Sequence, residues 1–308
     1  MALDPHMQAL LDQFAGAFDL DFQQLDATSY RRFADQGVAT GEPLNVAEVR
    51  ELRVADDLPA RLYRPSAEAG LPLLVFFHGG GFVAGTLDTH DDLCRRLALG
   101  SGAVVVSVGY RLAPEAVFPT AAHDCGQAVA ELVVRAAELD VDASRLALAG
   151  DSAGGNLAIA SARLLRQRGG PLPRALCLFY PVTDQTCGSA SYREFAKGYF
   201  LEAAMMHWFW HQYLGQWPAP LDVLASPLHA ADLGTLPATL LMSAECDPLR
   251  DEGEAFAERA RAAGAEVELV RAEGMLHGFA SFAPFVPRAQ AYLDDASAWL
   301  RCALGASA

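Results

Sequence analysis

The sequence predicts an α/β fold: a mostly parallel sheet with helices on both faces. Two patterns carry that expectation. Short, continuously apolar runs alternate with longer helical stretches, which is the order of crossover-connected parallel strands. The runs themselves lack polar alternation, as strands covered on both faces do. With 308 residues, 52% hydrophobic and 20% charged, the chain is long and apolar enough for one large core.

In chain order, the first strong strand falls at residues 73–77 and a helical stretch at 91–99. A strand follows at 103–108 and an amphipathic helix at 121–139. Then come a short buried strand at 145–149, a helix at 154–168, and strands at 176–180 and 239–243. A helix at 252–263, a strand at 267–270 and a closing helix at 287–304 complete the series.

Two segments depart from this alternation. Residues 1–45 read as helical and amphipathic, with Leu10, Leu11, Phe14, Phe18, Phe22 and Leu25 at helical intervals. Residues 186–222 are rich in aromatics, among them Tyr192, Phe195, Tyr199, Phe200, Trp208, Phe209, Trp210, Tyr213 and Trp217. Such an excursion can be plain core. Its place after a strand end points instead to a cap over the carboxyl edge of the sheet, where α/β proteins bind ligands. The expected organisation is therefore a core over 46–308, with 1–45 and 186–222 as two parts of a helical cap.

Net charge limits the partners. Against 23 Lys and Arg stand 38 Asp and Glu, a formal charge of −15, which disfavours nucleic acid and anionic membrane surfaces. No basic and apolar leader opens the sequence, and no window approaches the roughly 20 apolar residues of a membrane span. Six scattered cysteines, without a C-x-x-C pair, read as buried free thiols rather than disulfides. A cytoplasmic protein is expected.

The chemistry begins at Gly150-Asp151-Ser152-Ala153-Gly154-Gly155, a G-x-S-x-G placed after a strand and opening a helix. A serine on such a tight turn is exposed as a nucleophile. Side chains two residues to either side would collide, so glycines stand there. Upstream, His78-Gly79-Gly80-Gly81 ends the first strong strand. Its glycine amides can approach a developing oxyanion without obstruction, and Gly79 and Gly80 are expected to donate together with the N–H of Ala153. His78 is read as bracing that loop.

A serine hydroxyl needs a base. Of eight histidines, His277 lies in a glycine-flanked loop after the last strand, where the final member of a triad belongs. His207 and His211 have i, i+4 spacing but no neighbouring glutamate as in H-E-x-x-H, so no metal is expected. The orienting acid should precede His277 and follow a strand. Asp247 in Ser243-Ala-Glu245-Cys-Asp247-Pro-Leu249 is best placed, with Glu245 supporting its loop and Asp184 as the competitor.

These residues resemble the hormone-sensitive-lipase-like esterases, a bacterial group with H-G-G-G upstream of G-D-S-A-G-G. The resemblance runs from about Leu73 to His277. It takes in Tyr110-Arg-Leu-Ala-Pro-Glu115, Tyr180-Pro-Val-Thr-Asp184, Asp247-Pro-Leu-Arg-Asp-Glu252 and His277-Gly-Phe279. It implies the α/β-hydrolase fold with an eight-stranded sheet and a helical cap, no cofactor, and hydrolysis of short- to medium-chain carboxylic esters. It also implies Ser152, Asp247 and His277 as triad, an ion-paired or hydrogen-bonded brace around Arg111, and a possible homodimer. An amidase or deacetylase on the same scaffold shares the triad, whereas a non-catalytic receptor lacks the histidine. Phe82, Tyr180, Tyr199 and Phe200 are the expected walls of the substrate pocket.

Overall fold

The computed structural model describes residues 2–14, 21–22, 24–36 and 43–306. One eight-stranded sheet runs in the order β1-β2-β4-β3-β5-β6-β7-β8. Its strands are β1 (Glu48–Val54), β2 (Leu58–Arg64), β3 (Leu71–Phe77), β4 (Val104–Val108), β5 (Val141–Asp151), β6 (Ala175–Phe179), β7 (Ala238–Cys246) and β8 (Val267–Leu276). Only β2 runs against its neighbours; every pairing from β4 through β3 to β8 is parallel.

The alternation of side chains along β3 explains the two helical layers. Leu73, Val75 and Phe77 enter the core shared with α4 (Thr120–Val134), α5 (Ala153–Gln167) and α8 (Arg250–Ala262), whereas Leu74 and Phe76 enter the one shared with α3 (Asp91–Ser101) and α9 (Pro287–Leu304). Every residue of β3, β4 and β6 is buried. Unbroken apolarity is what a strand covered on both sides requires.

The strand pair β1–β2 was not expected. In β1 the less exposed positions are Glu48, Arg50, Leu52 and Val54, while Val49 points outward, so the apolar pattern of a half-buried strand is lost. Its turn, Ala55-Asp56-Asp57, has positive φ throughout without a glycine to announce it. The helix expected at 121–139 ends at Val134, because the chain turns through Asp140, in left-handed backbone, into a β5 that starts earlier than expected.

The N-terminal segment contains α1 (Pro5–Gln13) and α2 (Ala27–Gln36). Asp4 caps α1 by accepting from the N–H of His6 and Met7. Leu10 and Leu11 pack toward the α9 layer, Phe22 and Leu25 toward the other; Phe18 lies outside the described residues. Within the aromatic excursion lie α6 (Ala190–Glu194) and α7 (Ala203–Leu214). Tyr30 of α2 meets Trp208 and Phe209 of α7 at ring distances of 5.2 and 5.3 Å. All six cysteines are free; Cys302 is exposed and Cys187 half-buried, the other four buried. Among the described residues, no helix is long and apolar enough to cross a membrane.

Candidate active site

β5 ends at Asp151 and α5 begins at Ala153, leaving Ser152 alone on the turn with φ +55° and ψ −119°. That left-handed backbone is a strained one for a residue with a side chain. The neighbouring glycines are sterically required. A Cβ on Gly154 would overlap the Phe77 carbonyl oxygen, and one on Gly150 would overlap the backbone of Gly154. The turn is also tied to β6, since Ser152 N–H donates to Phe179 O at 2.9 Å and Val182 N–H donates to Ser152 O at 3.2 Å.

The loops after β7 and β8 bring the other two residues to this turn. His277 Nε2 lies 2.9 Å from Ser152 Oγ, and its Nδ1 lies 2.8 Å from Asp247 Oδ2. Asp247 is fully buried, and its Oδ1 accepts the Leu249 N–H at 2.9 Å. Glu245 supports the arrangement as expected, accepting the Gly274 N–H at 2.7 Å and so fastening the end of β7 to β8 just before those loops. With an acceptor on Nδ1, the ring carries its proton there and presents a bare Nε2 to the serine. Such a relay can remove the hydroxyl proton as Oγ attacks an electrophilic carbon.

The glycine loop corrects one expectation. Gly79 has a single N–H, and it donates to the buried Asp151 Oδ1 at 2.8 Å; it is not available to an oxyanion. Among the described residues, the N–H groups of Gly80, Gly81 and Ala153 have no acceptor. The ring of Phe209 lies where a Cβ of Gly81 would stand. Glycine spacing alone does not separate these roles; the carboxylate opposite does.

His78 braces the loop. Its Nδ1 lies 2.8 Å from Gly79 O and its ring stacks on Tyr110 at 4.3 Å, while the Tyr110 hydroxyl donates to His78 O at 2.7 Å. Burial first, and then the charge of His90, push its pKa down to about 4, so it is neutral near pH 7. Arg111 is braced by Asp124, with Nε donating at 2.9 Å.

Asp184, the competing acid, is paired elsewhere: His229 Nε2 lies 3.0 Å from its Oδ1. Nothing local in the sequence marks His229 for this role. Glu252, unforeseen, sits behind the site with Oε1 accepting the N–H of Thr183 and Asp184 at 2.7 and 3.1 Å. Burial, above all, raises its pKa well above the carboxylate range. His207 stacks on Trp217 at 4.7 Å. Among the described residues, no three His, Cys, Asp or Glu side chains are grouped as a metal site.

Of the expected pocket walls, Phe82 is corrected: its ring is 1% exposed and stacked flat on Tyr213 at 3.8 Å, which is core packing under α7. Tyr180 lies 4.7 Å from the His277 ring. Tyr199 is half-buried against Phe195 at 4.9 Å. Half-buried Phe200 meets Phe282 edge-on at 5.2 Å, and both rings lie within about 4 Å of where a Cβ on Gly278 would stand, beside His277. Phe282 was not among the expected walls. Like Ser152, Phe82, Tyr180 and Phe200 have positive φ.

A family model described as alpha/beta hydrolase fold matches residues 74–281. The chain is 40% identical to the ethyl acetate hydrolase of Pseudomonas putida over 295 residues, covering 91% of this chain and 92% of that protein. It is 37% identical to the carboxylesterase NlhH of Mycobacterium tuberculosis over 317 residues, 99% of this chain and 97% of the other. Among solved structures, a thermostable esterase from Pseudomonas putida superposes with a TM-score of 0.92 at 37% identity, covering 98% of each chain. A hyperthermophilic esterase from Pyrobaculum calidifontis gives 0.93 at 37% identity, covering 98% of this chain and 99% of the other.

Proposed function

The chain belongs to the alpha/beta hydrolase fold family, among its hormone-sensitive-lipase-like esterases, and from that premise we propose a serine carboxylesterase with Ser152 as nucleophile. His277 takes the Ser152 proton as Oγ bonds to the ester carbonyl carbon. The carbonyl oxygen becomes an oxyanion facing the N–H groups of Gly80, Gly81 and Ala153. Collapse breaks the bond to the alcohol oxygen, which leaves with the proton from His277. Water then attacks the acyl-enzyme, giving its proton to the same imidazole; the acyl–Oγ bond breaks, Oγ takes that proton back from His277, and the acid is released. Asp247 holds the tautomer and stabilises the imidazolium throughout.

One observation carries this reading: the unbroken run Asp247–His277–Ser152 at 2.8 and 2.9 Å, facing amides with no other acceptor. Esters rather than amides are the substrates by analogy with the ethyl acetate hydrolase and the carboxylesterase. Short to medium acyl chains fit the same analogy.

In this reading the described parts of residues 1–45, together with 186–222, act as a cap over a core of 46–308. Support comes from the packing of Tyr30 on Trp208 and Phe209, which carries α2 and α7 together over Gly81. Phe200 and Phe282, beside the residue that protonates the leaving group, form the wall on the alcohol side. Tyr180 and Tyr199 contribute to the floor and rim.

The test is Ser152→Ala assayed on p-nitrophenyl butyrate and on its matched anilide. Turnover of the ester should fall about a million-fold. Survival of more than a few per cent, or wild-type preference for the anilide, would refute the assignment.

A further inference from the structure

Asp151 adjoins the nucleophile yet takes no part in the proton relay. Its carboxylate is 5% exposed. A buried charge without partners costs several kcal/mol, so its contacts have to compensate. Oδ1 accepts the Gly79 N–H at 2.8 Å and lies 3.2 Å from His90 Nε2. The other oxygen occupies the space where a Cβ on Gly79 would stand. His90, just before α3, is held in turn by Thr89 Oγ1 at 2.8 Å from its Nδ1. The Gly79 amide and the His90 charge hold the acid below the usual carboxylate range against the opposing effect of burial, which is the largest single influence.

The connectivity gives these contacts a consequence. Asp151 is bonded to Ser152, and its hydrogen-bond partner Gly79 is bonded to Gly80. One side chain therefore spans the two backbones whose separation fixes where Oγ and the loop amides stand relative to a shared carbonyl. The loop is held on its far side as well, since Gly80 O accepts from Val83 and Ala84 N–H at 3.1 and 2.9 Å. An oxyanion hole acts only if its donors stand where charge develops.

We propose that Asp151, held by His90 as well as by the Gly79 amide, is a positioning residue that sets the register between the nucleophile and the oxyanion amides. The inference rests on the esterase reading above. Replacing Asp151 by Ala leaves the Gly79 N–H unpaired and frees the loop to move, whereas Asn keeps an oxygen able to accept it.

The experiment measures kcat and KM for p-nitrophenyl butyrate per serine titrated with an organophosphonate, and the inhibition constant of butylboronic acid. The boronate's tetrahedral adduct places an oxygen in the hole. For Asp151→Ala, kcat per titrated serine should fall roughly 100-fold and the boronate constant should rise in step, with KM within about threefold. Asp151→Asn should recover about tenfold of that loss. Unchanged kcat per titrated serine in Asp151→Ala overturns the proposal, as does a loss that leaves boronate binding intact. Should the alanine variant not fold, Asp151→Asn and His90→Gln decide: both kcat and boronate affinity at wild-type values in both variants would also overturn it. Failure of the esterase reading is a separate result, seen as wild-type protein whose Ser152 takes up no phosphonate.

Discussion

Beneath the reacting serine, backbone packs on backbone. Added side chains at Gly150 and Gly154 would strike main-chain atoms of Gly154, Phe77 and His78, and these belong to the elbow itself, to β3 or to the start of the glycine loop. Above it, rings pack on rings: Tyr30 of α2 on Trp208 and Phe209 of α7, Phe22 on Trp208 at 6.4 Å, and Phe200 on Phe282. A main-chain contact has no rotamer with which to yield, whereas a ring can turn or be replaced by another of similar volume. The floor is thus fixed, whereas the rings of the roof above it can be exchanged for others of similar volume.

The contrast can be broken experimentally. Gly154→Ala should have the largest effect, destabilising the protein by at least about 3 kcal/mol in urea unfolding or preventing folding altogether. A loss below about 1 kcal/mol would mean the floor yields as the roof does.

An intermediate effect comes from acid. His78 is buried and neutral, with a folded pKa of about 4 against the ordinary 6.5. On acidification the unfolded chain takes up this proton first. The contribution is whole above pH 6.5 and is lost as the pH falls toward 4, at up to about 1.4 kcal/mol per pH unit. His78→Phe, which keeps a ring against Tyr110, should flatten the dependence of unfolding free energy between pH 6.5 and 5. Equal slopes in both proteins would remove His78 from the account.

Phe200→Ala should move stability least, by about 1 kcal/mol. Its effect should appear in selectivity instead: the kcat/KM ratio of benzyl to ethyl acetate is expected to shift about tenfold. A variant that melts like Gly154→Ala would place Phe200 with the floor.

What could be read from the sequence follows the same division. Ser152, Asp247 and His277 were legible because each stands at a strand end with glycine or proline beside it, and backbone geometry leaves few residue types for such positions. The buried strands were legible because sheet burial erases polar alternation. Gly79 was misread: its role is decided by a carboxylate brought across from another strand end, which no local pattern records. The β1–β2 pair escaped because its outward face carries Val49 while its inner face uses Glu48 and Arg50. Phe82 was assigned to the pocket and serves the core, since an aromatic side chain looks the same in either place.

The left-handed backbone at Ser152, Phe82, Tyr180 and Phe200, with φ of +55°, +64°, +37° and +73°, has a bearing on directed evolution. Such conformations cost about 1–3 kcal/mol each; glycine or asparagine would relieve that cost at half-buried Phe200, whereas at buried Phe82 and Tyr180 the lost ring burial, about 3–5 kcal/mol, outweighs it. A library selected on heat resistance alone will drift toward that replacement at 200. It will become hardier while it erodes the neighbourhood of the nucleophile. Selection for a robust variant has to score turnover in the same round.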